Sequence, residues 1–194
     1  MRQILAQFDE GGIFVYQAFK AAIADEALRL GTFGKGFNLN RMTWIKPSFG
    51  WMLYRSGYAT KQGQERILKI KLCHAGFQTI LAQAIPSSYN RDLFTTKLDW
   101  ERALKLSEVR YQWDPDRSLR LQRLERRAIQ LGIQGSTVRN YVRDWILGIE
   151  DVTALARSIH AAIQNREKQL PLVLDERVYP VASEIKWTLA ITTT

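Results

Sequence analysis

The chain has 194 residues, 46% of them hydrophobic and 24% charged, which suits one globular domain spanning residues 1–194 and large enough to bury a real core. Its single cysteine, Cys73, excludes an intrachain disulfide and fits a reducing compartment. The net charge of +9 is concentrated: residues 1–98 carry 13 Lys and Arg against 6 Asp and Glu, or +7, while the rest carry 15 against 13, or +2. A concentrated basic excess points to an anionic partner.

Ile13–Phe19 is apolar on both alternating faces, as a central buried strand is, with Gln17 as a lone amide within it. Residues 20–30 read as a helix stopped by Gly31. Residues 31–40, with three glycines and two asparagines, read as a mobile loop. Arg41–Ile45 is a short strand candidate, and Ser48 caps a helix running to about Tyr58. Arg66–Leu72 alternates: Leu68, Ile70 and Leu72 point to a core, Lys69 and Lys71 away. A helix at Phe77–Ala84 is ended by Pro86, residues 87–98 form a loop, and Asp99–Leu106 is helical. Glu108–Trp113 reads as a strand, Asp114-Pro115-Asp116 as a turn, and Arg126–Ile133 as another strand. Ser136 then caps a helix with an apolar stripe of Val138, Tyr141, Val142, Trp145 and Ile149. A second helix carries Val152, Leu155, Ile159 and Ile163, with Asp151 near its start. Strand candidates around Leu172–Leu174 and Lys186–Ile191 complete the chain. Strands and helices mix without a strict βα repeat. The expected class is α+β, a small mixed or split antiparallel β-sheet flanked by helices.

The densest signal lies between Lys35 and Lys71. Eight cations stand there against one acid, Glu65, and six aromatic residues are interleaved with them. Cations offer charge to phosphate, and aromatic faces offer stacking to bases or nicotinamide-like rings. On the helix after Pro47, Phe49, Met52 and Leu53 share an anchoring face. Trp51, Tyr54, Arg55 and Tyr58 share another, which surrounds a guanidinium with aromatic walls. Lys46 and Ser48 sit where the helix N-terminus would add free N–H groups and a positive dipole end, an arrangement suited to an anion. Gln17 and the strand residues Arg110, Gln112 and Gln130 can build a polar floor if their strands are neighbours. Glu65, Asp114 and Glu150 are the candidate catalytic acids. His74, His160 and Cys73 lack the spacing of a metal site, and no phosphate-loop, dinucleotide or hydrolase motif is present. The N-terminus has no signal-peptide run and no segment reaches the length of a membrane span, so a cytoplasmic protein without membrane association is expected.

Several of these motifs together resemble one family. Val15-Tyr16-Gln17-Ala18, Arg41 through Phe49 (RMTWIKPSF), Trp51-Met52, Tyr54-Arg55-Ser56-Gly57, Gln112 through Arg117 (QWDPDR), Ile129-Gln130 and Ile149 through Thr153 (IEDVT) are similar to the bacterial and fungal domain-of-unknown-function family forty-two ninety-one. The resemblance covers nearly the whole chain. Gly50 stands where that pattern leads one to expect a larger apolar residue, which implies looser packing. A second resemblance, at the level of fold, is to the ADP-ribosyltransferase superfamily. It implies a split α+β sheet, an early strand with a polar NAD-contacting residue, filled here by Tyr16-Gln17, and an aromatic from the stretch Trp44 to Tyr54 stacked on nicotinamide. The superfamily's usual catalytic glutamate has no match in these motifs.

Three function classes follow. The leading one is an enzyme, a transferase acting on a phosphate-bearing substrate, either a nucleotide or a nucleic acid, with NAD as the candidate cofactor. Its expected ligand-binding residues are Tyr16, Gln17, Arg41, Thr43, Trp44, Lys46, Ser48, Trp51, Tyr54, Arg55, Arg110, Gln112, Arg117 and Gln130. The second is a non-catalytic RNA- or DNA-binding domain with an open basic groove. The third is a protein-interaction module with an exposed apolar patch.

Overall fold

A computed structural model describes residues 1–192. The chain folds as β1 (Leu5–Ala6), β2 (Ile13–Phe19), α1 (Ala21–Leu30), β3 (Thr43–Ile45), α2 (Phe49–Ser56), β4 (Arg66–Leu72), α3 (His74–Ala82), β5 (Ala84–Pro86), α4 (Lys97–Leu106), β6 (Val109–Arg117), β7 (Arg123–Ile133), α5 (Gly135–Asn140), a π-helical turn (Tyr141–Trp145), β8 (Ile146–Asp151), α6 (Thr153–Gln164), β9 (Arg177–Val178) and α7 (Ser183–Thr188). Three sheets result, with strand orders β2-β4-β8, β3-β7-β6-β5 and β1-β9. Among the strand pairs of the described residues, β5–β6 is parallel and the others are antiparallel. This is an α+β fold with a split sheet. The two larger sheets join through one antiparallel bridge, where Tyr16 and Lys46 exchange backbone hydrogen bonds of 2.7 and 3.2 Å.

The alternation of β2 and β4 explains the two-sided burial. Val15, Leu68, Ile70 and Leu72 enter the main core with Ile45, Val109, Leu131 and Ile133 of the other sheet. Tyr16 and Ile67 point the opposite way, into a second core made with Phe49, Met52 and Leu53 of α2 and Ala156 and Ile159 of α6. Gly31 follows α1 in the left-handed conformation and Ser48 caps α2, its Oγ accepting the Trp51 N–H at 3.1 Å. No helix among the described residues is long and apolar enough to cross a membrane.

Six local expectations are corrected. Asp114-Pro115-Asp116 does not turn the chain; it lies inside β6, next to a register shift. β5 pairs only as far as Tyr111, so Pro115 falls where that edge of β6 has no strand partner and its missing N–H costs no ladder bond. The helix expected to run through Ile149 ends at Trp145, and Ile146–Asp151 becomes β8 because the free edge of β4 takes a strand. Ser136 is not that helix's cap. Glu108 supplies the capping instead, accepting from the N–H and hydroxyl groups of both Ser136 and Thr137. Burial opposes the charge on Glu108, but those four bonds hold its carboxyl down to about 2. The helix expected to reach Ala84 stops at Ala82, and Ala84–Pro86 is a strand. Near the C-terminus the strand is Arg177–Val178, paired with β1, rather than Leu172–Leu174. Lys186–Ile191 lies largely in and just after α7, whose Ile185 and Leu189 pack at helical spacing.

Candidate functional site

A cleft of about 700 Å³ opens at the seam between the two larger sheets. The seam explains its composition. β2 ends there, β3 begins there, α2 leaves from it, and β6 and β7 pass beneath. On β6, Val109 and Tyr111 are buried in the core while Gln112 and Asp114 alternate onto the other face, with Gln112 directly across from Gln130 of β7. The expected pairing of these two strands is therefore present, and the polar floor consists of Gln112, Gln130 and Asp114. Trp44 lies against β7 at Gly132. A Cβ there would stand 2.7 Å from Met42 Sδ and 2.9 Å from the indole, so glycine makes room for the ring.

The cleft gathers Gln17, Arg41, Thr43, Trp44, Lys46, Trp51, Arg55, Gln112, Asp114 and Gln130. Others of the expected residues stand elsewhere. Tyr16 packs in the second core with its ring centroid 5.0 Å from that of Phe49. Ser48 donates its hydroxyl to Asp116 at 2.7 Å while it caps α2. Tyr54 is 41% exposed, with the Arg117 guanidinium 4.1 Å from its ring centroid. Arg110 shares the face of Gln112 but stands between Ile85 and Gly132, outside the lining. Of the acids, only Asp114 reaches the cleft. Glu150 stands across from Lys69 in the β4–β8 pair and is exposed on the face of the sheet opposite to Gln17, and Glu65, which accepts the Gly63 N–H, is not part of the lining.

The anion site expected at the start of α2 is taken by the protein itself. Glu176 accepts the Phe49 N–H at 2.7 Å. Burial, reinforced by Asp116, pushes its carboxyl up to about 7 against the help of that N–H. Lys46 thus works on the cleft side of the seam and Ser48 on the other. Nothing in the sequence near Ser48 signals Glu176, which lies 127 residues away from Phe49 along the chain. Phe37, Asn38, Met42 and Gln64 also line the cleft without having been singled out for it. Phe37 and Asn38 lie in the glycine-rich loop, Met42 in the RMTWIKPSF stretch and Gln64 in the α2–β4 connection.

Lys46 is 7% exposed. Its Nζ donates to the Trp44 carbonyl at 2.9 Å and lies 5.6 Å from the centroid of the Trp51 ring. Burial, then repulsion from Arg55, lowers its amine to about 7, with Asp114 pulling the other way. Burial likewise raises Asp114, against hydrogen bonds from Gln130 Nε2 at 2.7 Å and Gln112 Nε2 at 3.0 Å. Burial thus disfavours the charged form of both an amine and a carboxyl in one cleft, and the amine is the one brought close to neutral pH. Gln17 is 2% exposed and fully engaged: its Nε2 donates to Thr43 Oγ1 at 2.7 Å and the Trp44 carbonyl at 3.2 Å, and its Oε1 accepts from Tyr141 at 2.7 Å. It ties the two sheets together and holds up the wall carrying Trp44. Gln17→Ala leaves the buried Tyr141 hydroxyl without that acceptor, so we expect a loss of about 1–3 kcal/mol in urea unfolding.

A more open groove of about 960 Å³, lined by Phe8, Lys71, His74, Arg177 and Tyr179 among others, offers less chemistry. Lys71 is bonded to Asp9 at 2.8 Å, and both ring nitrogens of His74 are within 2.8 Å of partners. Among the described residues, no group of three or more His, Cys, Asp and Glu side chains could hold a metal ion.

The family model described as "Domain of unknown function (DUF4291)" matches residues 3–179, nearly the full length. The chain belongs to the DUF4291 family. The match takes in every element from β1 to β9 and therefore all the residues of the cleft. No curated protein matches this DUF4291 chain.

Proposed function

We propose that this DUF4291 protein is a nucleotide-directed transferase whose cleft takes a phosphate-bearing, ring-containing ligand, NAD being the leading candidate. One observation carries the reading. Four cations without an ion-pair partner among the described residues (Lys20, Arg41, Lys46 and Arg55), two indoles (Trp44 and Trp51) and a single carboxylate positioned by two amides line one cleft. Its volume falls within the range of roughly 300–1,000 Å³ usual for small-molecule sites. A seam between halves of a split sheet also fits an ADP-ribosyltransferase-like arrangement, which is an argument from fold analogy.

The residues divide the work by chemistry. Arg41 and Arg55 offer forked donors to phosphate oxygens. Lys46 supplies a compact charge, or a neutral amine that can accept a proton. Trp51 and Trp44 offer faces to a flat ring. Bound there, NAD would supply an ADP-ribosyl group on a carbon–nitrogen bond whose leaving group is neutral nicotinamide. Asp114, held by Gln112 and Gln130, would stabilise positive charge developing beside it and accept the proton released by an incoming hydroxyl. The superfamily's usual glutamate is thus answered by an aspartate from the QWDPDR motif.

Calorimetry with NAD tests the binding. The expected result is a dissociation constant in the micromolar range or weaker, near −8 kcal/mol or less favourable, because stacking and a few polar contacts are each modest. Nicotinamide release should fall at least 100-fold in Asp114→Asn while NAD still binds. A silent titration combined with no nicotinamide release would reject the proposal.

A further inference from the structure

We propose that a single-stranded polynucleotide is a binding partner of this site, lying across the rim over Arg55, Tyr54 and Arg117. The inference builds on the cleft being a phosphate-ligand site, and it concerns a surface that starts at Arg55 on the cleft's edge and continues beyond it to Tyr54 and Arg117.

Three observations carry it. First, Arg55, Lys61 and Arg117 stand together beside Tyr54, and among the described residues none of the three is ion-paired. Unneutralised cations clustered at a rim repel one another, and a polyanion relieves that repulsion with release of its own counterions. Second, the rim carries an exposed ring between charges. Tyr54 follows directly from the cleft through its neighbour Arg55. The Arg117 guanidinium stands 4.1 Å and Lys61 Nζ 5.7 Å from its ring centroid. A ring flanked by cations is the element that single-strand binders use to stack a base while neighbouring phosphates are neutralised. Third, the donors are held in place. Lys61 Nζ is fixed on the Tyr54 and Arg55 carbonyls at 3.3 and 2.9 Å, and Arg117 Nη1 on the Leu121 carbonyl at 3.3 Å. A mononucleotide in the cleft leaves Tyr54 and Arg117 unused, whereas a strand continuing out of it reaches them.

The test is fluorescence anisotropy with labelled oligo(U) and oligo(dT) of about 12 nucleotides, a length that spans a typical single-strand site. We expect binding at low salt whose affinity falls steeply with added salt, with a log–log slope of about −2 for three phosphate contacts at ~0.7 per phosphate. Tyr54→Ala should weaken binding about tenfold, Tyr54→Trp should restore it, and both variants should melt like the wild type. Comparing the two probes shows whether the sugar hydroxyl matters, and binding of either supports the proposal. Absence of binding by both at low salt overturns it, as does binding indifferent to Tyr54→Ala. NAD calorimetry on Tyr54→Ala separates the two readings. Normal NAD heat with lost strand binding places the strand on the rim. Strand binding in a protein that gives no NAD heat rejects the cofactor and leaves the strand proposal standing.

Discussion

Lys46→Met is expected to abolish nucleotide binding and at the same time make the protein more stable at pH 6. The ammonium is buried, has the Trp44 carbonyl as its hydrogen-bond partner and is repelled by Arg55, so its amine falls from 10.5 to about 7. The sign follows from proton counting. Between pH 7 and 10.5 the unfolded chain holds a proton on this lysine that the folded chain has released. Stability from this group therefore rises as pH climbs through that window, and below pH 7 the full penalty of burying the charge is present. The penalty is on the order of a few kcal/mol. Methionine keeps the apolar stem and removes the charge. The melting temperature of the variant should exceed that of wild type at pH 6 by about 2–4 °C per kcal/mol relieved, and the gap should close toward pH 10. A group retained against stability is best explained by work on a ligand, since function commonly opposes stability at active sites. An anionic ligand should favour the protonated amine, so wild-type binding should strengthen as pH drops from 8.5 to 6.5. A variant that melts lower than wild type at pH 6 and still binds would make Lys46 a packing residue.

Gly50→Ala is expected to destabilise the protein and disable the cleft together. The family-like pattern leads one to expect a larger apolar residue at position 50 and hence loose packing at this glycine; the structure corrects that expectation. A Cβ on residue 50 would overlap the Arg117 carbonyl oxygen and lie 3.1 Å from its carbon. These are backbone atoms at the end of β6, so no rotamer change relieves the clash. Alanine in place of glycine gains up to about 1 kcal/mol of helix propensity, less so near a helix start. Overpacking against fixed backbone costs about 1–3 kcal/mol or more. The clash wins, and relief requires α2 to lift from β6. That helix carries Trp51 and Arg55 into the cleft while Asp114 stays on β6. Urea unfolding of Gly50→Ala should show a lowered midpoint, and NAD or nucleotide affinity should fall more than tenfold. A raised midpoint would mean the helix and strand do not meet as described.

The residues around Gly50 show how far a sequence reading goes. The cations and indoles between Arg41 and Arg55 stand together in the cleft's walls, because those residues are close along the chain and local elements present them together. The grouping of Trp51, Tyr54, Arg55 and Tyr58 on one helix face did not survive. Trp51 and Arg55 line the cleft, Tyr54 is exposed, and Tyr58 is buried with its ring 4.6 Å from that of His160. What differs is the neighbour each side chain meets: a sheet seam, solvent or α6. Likewise the residue types before α2 suggested an anion site, yet a distant carboxylate, Glu176, already occupies it.

The sequence by itself determined the fold class, the strands β2 and β4, the helix α1 with its glycine stop and the capped start of α2. Each of these rests on periodicities and caps that act within a few residues. Only the tertiary structure decided which faces meet. The pairing of β6 with β7 set Gln112 against Gln130 and brought Asp114 into the cleft, and alternation in β2, β4 and β8 placed Glu150 on the opposite face from Gln17. The free edge of β4 drew Ile146–Asp151 out of a helical pattern into a strand. Strand pairing satisfies backbone groups of residues far apart in the chain, and its free energy outweighs propensity differences of a few tenths of a kcal/mol per residue, so no local pattern could have announced it.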